Sequence, residues 1–132
     1  MNDKNLYDNT PGIIELSTKD LVRNGDGSVL PARNEFNNKV YMLVYYAPWC
    51  GHCMNMVKDV KDLANTLKDE GFMVGTINCE RNTDLSNKIV IDSFPQIYFV
   101  KDNKAKKYNG SRDLESLVSF LCETLGKCGQ KK

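Results

Sequence analysis

An apolar run, Met42-Leu43-Val44-Tyr45-Tyr46-Ala47, stops at Pro48-Trp49 and passes straight into Cys50-Gly51-His52-Cys53. Beyond the second cysteine, Met56, Val57, Val60, Leu63, Ala64 and Leu67 recur at helical spacing. The junction therefore predicts a buried strand that turns directly into an amphipathic helix, with two thiols one turn apart where the elements meet. The chain's single His and single Trp, His52 and Trp49, fall in the same place. A strand feeding a helix in this way points to an α/β architecture, and two thiols at the corner can carry two electrons by opening and closing one disulfide.

The thiolate is the nucleophile of sulfur exchange, and an ordinary cysteine, with a pKa near ~8.5, is mostly protonated at neutral pH. A helix start shifts that balance, because its unpaired N–H groups and the positive end of its dipole favour negative charge. Cys50 is placed to meet that field, and His52 adds positive charge when protonated. Cys53 falls on the same helix face; it is expected to point inward and to keep its proton longer. Cys50 is then the attacking sulfur and Cys53 the one that resolves the mixed disulfide. Trp49, Gly51 and His52 tune the poise, a histidine within the pair favouring the oxidising end. The redox group is the Cys50–Cys53 disulfide itself, with no added cofactor. A C-x-x-C pair can also be half of a zinc site or a plain structural disulfide. Zinc wants a second close-spaced pair, which Cys79, Cys122 and Cys128 do not supply, and the motif begins a helix instead of crossing a loop. No metal is expected.

Tyr45-Tyr46-Ala47-Pro48-Trp49-Cys50-Gly51-His52-Cys53 resembles the active-site segment of protein disulfide isomerase thioredoxin-like domains. Phe94-Pro95-Gln96-Ile97-Tyr98-Phe99-Val100 is similar to the segment that carries that family's cis-proline before a strand, and Tyr108-Asn109-Gly110-Ser111-Arg112 to the one entering the last helix. The resemblance implies a thioredoxin fold: a central mixed β-sheet flanked by helices on both faces. It also implies dithiol–disulfide exchange on cysteine-containing proteins or peptides, with a second thiol/disulfide couple as redox partner. Pro95 would be cis and lie beside the Cys50 sulfur, although X–Pro bonds in general favour trans. The backbone of Phe94 would pair with an extended substrate, and Arg112 would help tune the inner cysteine. The pattern is not complete. Val44 stands where the family usually has an acid that moves protons at the inner cysteine, and Thr76 where a lysine often pairs with that acid. Losing both together is coherent, since a lone buried charge is costly and a whole ion pair is replaceable. The expected result is slower proton transfer at Cys53, not a weaker fold. Lys58 replaces the family's helix proline, so the helix is expected to lack a kink. Gln96 stands where threonine is usual.

A chain of 132 residues with a net charge of +1 is one domain and has no generally basic surface for nucleic acid. Lys101, Lys104, Lys106 and Lys107 read as solvated surface, and no apolar run is long enough to span a bilayer. No basic start followed by an apolar core opens the chain. That places it in the cytoplasm, or in the virion if a large DNA virus encodes it, a source that the abundance of Asn and Lys suggests; the endoplasmic reticulum lumen applies if a leader has been removed. Residues 1–12 are expected to be a polar tail, 13–126 the thioredoxin-like domain and 127–132 a C-terminal tail. Cys79 and Cys122 are expected in the core. Cys128 is the expected exposed thiol of a monomer, able to join two chains.

Ile13-Ile14-Glu15-Leu16 reads as the first strand. Ser17-Thr18-Lys19-Asp20 carries a helix-start pattern that would put Leu21-Val22 in a short helix. Arg23 to Lys39 reads as a long flexible loop or, second, as a specific contact surface. A helix is expected from about Cys50 to Glu70, with Met54 lining the substrate groove. A strand follows at Phe72–Asn78, then a hairpin around Asp102-Asn103 and a last helix from about Ser111 to Gly126. The leading reading is an enzyme that oxidises, reduces or rearranges protein disulfides. A cytoplasmic reductase carrier uses the same residues. A peptide-binding or assembly module would use the groove around Trp49, Phe94 and Pro95 without redox chemistry.

Overall fold

The computed structural model describes residues 4–126. Its strands are Ile13–Leu16 (β1), Leu21–Arg23 (β2), Val29–Pro31 (β3), Val40–Tyr46 (β4), Phe72–Asn78 (β5), Gln96–Lys101 (β6) and Lys104–Tyr108 (β7). The α-helices are Gly51–Asn55 (α1), Val57–Leu67 (α2) and Leu114–Leu125 (α3). The main sheet runs β1-β5-β4-β6-β7, with β1, β5 and β4 parallel and β6 and β7 antiparallel. All of β4 is buried because it is paired on both sides and covered on both faces. No described helix is long and apolar enough to cross a membrane.

Alternation along β4 divides the core. Met42, Val44 and Tyr46 meet Val60, Leu63 and Leu67 of α2 and Leu117 and Leu121 of α3. Tyr41, Leu43 and Tyr45 face Leu16, Leu21, Leu30 and Phe36. All three α-helices lie on the first face. The second is closed by the β2–β3 hairpin and by 3-10 turns at Thr18–Asp20, Asn34–Phe36 and Thr83–Asn87. Gly75 lets this side close: a Cβ there would stand 2.8 Å from Leu16 Cδ1 and 3.1 Å from Phe36 Cζ.

Several expectations are corrected. The Asp20 carboxylate does accept from the Ser17 N–H at 3.0 Å, yet the helical turn lasts three residues and Leu21-Val22 enter β2. The Arg23–Lys39 stretch is ordered: Asn24 and Ser28 close the hairpin, and Phe36, 3% exposed, plugs the second core. The helix after Cys50 is broken without a proline. The Met56 N–H bonds back to the Cys53 carbonyl at 3.4 Å, its ψ is −1°, and its side chain enters the core, so α1 ends and α2 begins there. Within the expected N-terminal tail, Tyr7 packs: it is 1% exposed and meets the Tyr46 ring edge-on at 5.6 Å. Asp102 and Asn103, both at positive φ, form the two-residue turn between β6 and β7. Beyond that turn β7 is the exposed edge of the sheet up to Tyr108. Cys122 is half-buried and disulfide-bonded, not a free core thiol. The expectation for Cys128 lies outside the described residues.

Candidate active site

Parallel strands end together. Tyr46 is level with Asn78 across β4 and β5, so the residues that follow each strand gather at one end of the sheet, where α1 starts. Cys50 is the residue just before α1, in extended backbone, and its carbonyl accepts from the Met54 N–H at 3.0 Å. Cys50 and Cys53 are both free thiols, but unequally placed. Cys50 is half-buried and its Sγ stands 3.7 Å from the Phe94 carbonyl oxygen. Cys53 is 1% exposed. Burial pushes the Cys53 thiol well above the ordinary cysteine range, and the neighbouring Cys50 adds to the shift. The outward sulfur can be reached, and the inward one holds its proton.

The Phe94-Pro95 peptide is cis and Pro95 is buried. Trp49, 52% exposed, meets the Phe94 ring edge-on at 5.7 Å. Its indole N–H donates to Glu80 Oε1 at 2.9 Å. The Glu80 N–H in turn donates to Asn78 Oδ1 at 3.0 Å, and Asn78 Nδ2 to Asn5 Oδ1 at 2.9 Å. A continuous polar chain thus links the N-terminal segment to the tryptophan beside Cys50. His52 and Met54 are exposed on α1, as is Gly51. Arg112, half-buried, lines a hollow with His52, Asn55, Met56 and Asp59, so it approaches the motif on the His52 side. Cys79, at the end of β5, is half-buried with its thiol pushed up to about 12 by burial and by the Glu15 charge.

A half-buried acid escaped the sequence reading. Glu15 of β1 is level with Thr76 of β5, which is level with Val44 of β4. Val44 is apolar and fully buried, yet a carboxyl stands in the same row, two strands away. Its oxygens accept from Thr76 Oγ1 at 2.6 Å, from the Tyr46 hydroxyl at 3.1 Å and from the Asn78 N–H at 2.9 Å. Burial pushes Glu15 up to about 7, and those three donors keep it from rising further. Side-chain alternation alone puts Glu15 on the face of Ile13; that Thr76 and Tyr46 meet it depends on which strand pairs with β1. Glu80 and Asn78 were also missed, although the parallel pairing of β4 with β5 would have brought them beside residues 47–50. Among the described residues no group of three or more His, Cys, Asp or Glu side chains is placed to hold a metal.

The Thioredoxin family profile matches residues 32–123. Protein disulfide isomerase-like 2-2 of Oryza sativa subsp. japonica is 35% identical over 98 residues, which are 72% of this chain and 26% of that protein. Protein disulfide isomerase-like 1-4 of Arabidopsis thaliana is 31% identical over 116 residues, 85% of this chain and 18% of its own length. The chain therefore spans about a quarter or less of these relatives. Among solved structures, the J-Trx1 fragment of ERdj5 superposes with a TM-score of 0.71 at 25% identity, over 95% of this chain and 57% of that one. The Trx4 domain of ERdj5, at 20% identity, shares the fold with a TM-score of 0.64 over 86% of this chain and 96% of that one. With its two thiols at the β4–α1 corner and the Phe94 carbonyl facing the outer one, the chain belongs to the thioredoxin family and, within it, resembles the domains of protein disulfide isomerase-like proteins.

Proposed function

We propose that this domain exchanges electrons with disulfides of proteins or peptides through Cys50 and Cys53, in the manner of a protein disulfide isomerase-like oxidoreductase. The unequal exposure of the two thiols beside Phe94 carries the reading. The Cys50 thiolate attacks one sulfur of a substrate disulfide. A Cys50–substrate bond forms, the substrate S–S bond breaks, and the other substrate sulfur leaves as a thiolate. Cys53 then gives up its proton and attacks the Cys50 sulfur. The Cys50–Cys53 disulfide forms, the second substrate thiol is released, and the substrate has gained two electrons. Run in reverse, the cycle oxidises a dithiol; stopped after the first step and resolved by another substrate thiol, it rearranges disulfides. The Phe94 backbone and Pro95 are the substrate-binding elements in this reading, and Trp49, Gly51, His52 and Arg112 set the poise. With Val44 apolar, loss of the Cys53 proton is the slow step.

Replacing Cys53 with Ala removes the resolving sulfur and should accumulate a mixed disulfide between Cys50 and a peptide disulfide, visible by mass spectrometry under non-reducing conditions. The Cys50→Ala protein should accumulate none at that position. A Cys53→Ala protein that forms no adduct would sink the reading. The potential of the couple then tells a reductase carrier from an isomerase: values near about −270 mV mark the first and near about −180 mV the second.

A further inference from the structure

Gln96 opens β6 directly after Pro95 and is 2% exposed. Each polar atom of its amide has a partner. Nε2 donates to the Val90 carbonyl at 3.0 Å and to the Tyr98 hydroxyl at 2.9 Å, and Oε1 accepts from the Asp92 N–H at 3.3 Å. A primary amide offers two N–H donors and one carbonyl oxygen, so both hydrogens and the oxygen are in use. Residues 89–92 belong to no helix or strand, and this one side chain replaces the missing ladder by gripping both a C=O and an N–H of the segment. The other ties on Asp92 are weaker: the exposed Ser93 hydroxyl donates to its Oδ1 at 3.4 Å. Lys107 Nζ lies 3.7 Å from its carboxylate, with both side chains well exposed, and exposed pairs contribute little. A threonine at position 96 has a single hydroxyl on a shorter stem and could not span both backbone groups.

The gripped segment leads into Phe94, whose carbonyl faces the Cys50 sulfur and whose ring meets Trp49. We infer that Gln96 is a positioning residue for peptide capture: by holding Val90 and Asp92 it sets the approach of the chain to Phe94 and so the backbone edge that a substrate strand meets beside Cys50. The inference rests on the thiol–disulfide reading proposed above. It concerns binding and not sulfur chemistry, so it separates two kinds of substrate. A small disulfide needs only the Cys50 sulfur, whereas a peptide disulfide also needs the Phe94 backbone in register.

The test uses the whole chain, reduced beforehand, in single-turnover reactions followed by Trp49 fluorescence. One substrate is a synthetic peptide with an internal disulfide; the other is oxidised glutathione. In each case the two protein thiols become the Cys50–Cys53 disulfide and the substrate disulfide becomes two thiols. Gln96→Ala is expected to raise the half-saturating peptide concentration about tenfold, as loss of one or two buried hydrogen bonds implies. Its limiting rate, its reaction with glutathione and the equilibrium constant of the couple against glutathione should stay within about twofold of wild type. Gln96→Glu keeps the shape and the acceptor for the Asp92 N–H but turns an oxygen toward the Val90 carbonyl. It should shift peptide saturation the same way and serves where the alanine variant folds poorly. Unchanged peptide saturation in both variants overturns the inference, as does an equal loss with peptide and with glutathione, which marks a merely structural role. If the wild-type chain reacts with neither substrate, the thiol–disulfide reading falls and this inference with it.

Discussion

Glu15 binds its proton more tightly in the folded chain, where it titrates at about 7, than at its ordinary value of 4.5. Between those two pH values the native state holds more protons than the unfolded one, so stability falls as pH rises from the lower value through the upper. The change amounts to at most about 3 kcal/mol. Glu15→Gln, which cannot ionise, should flatten that slope; urea denaturation at several pH values across the window measures it. Equal slopes in both proteins would place the titration elsewhere. The two catalytic thiols of the proposed cycle were legible residue by residue, since sequence spacing alone puts them on one helix turn. Glu15 was not. Its environment is assembled from Thr76, Tyr46 and Asn78, all distant along the chain, and no local pattern distinguishes it from a solvated strand residue.

Where an element's signal was local, the reading held. β1, β4, β5 and the β6–β7 hairpin follow apolar runs and turn residues, and α3 ends at Gly126 with φ 72°. Its start is fixed by Asp113, which accepts from the Ser116 N–H at 3.1 Å. Replacing Asp113 with Ala should cost about 1 kcal/mol and lower the melting temperature by about 4 °C, read by circular dichroism. Where tertiary packing decides, local signals misled. The capping pattern at Ser17–Asp20 is genuine, but β-branched and apolar residues on both sides of a turn found strand partners in each other, and Leu21 pairs with Pro31. The break at Met56 has no proline to announce it. It shows only in the backbone, where the Met56 N–H bonds to the Cys53 carbonyl and ψ is −1°, between the helix that carries the thiols and the longer one behind it.

For the molecule as a whole, the fold class was readable because strands and helices alternate in an order that permits few topologies. The covering of the second face was not. Its hairpin and the 3-10 turn at Asn34–Phe36 come from a stretch rich in Asn, Gly and Asp, and only the assembled core shows Phe36 filling the gap beside Gly75. The N-terminal segment likewise joins the domain through Tyr7, and through Asn5 it reaches the polar chain that ends at Trp49. The outermost strand, β7, has a bearing on how copies of this chain behave toward one another. Its outer backbone groups are an open template for a neighbour's strand, and Lys104, Lys106 and Lys107 crowd them with positive charge. Two such rims brought together repel. Replacing the three lysines with Ser should leave the monomer folded but promote self-association at high concentration, measurable by light scattering and reversed by dilution. Without that charge, the edge of one copy could add to the edge of the next, strand upon strand, into a growing sheet.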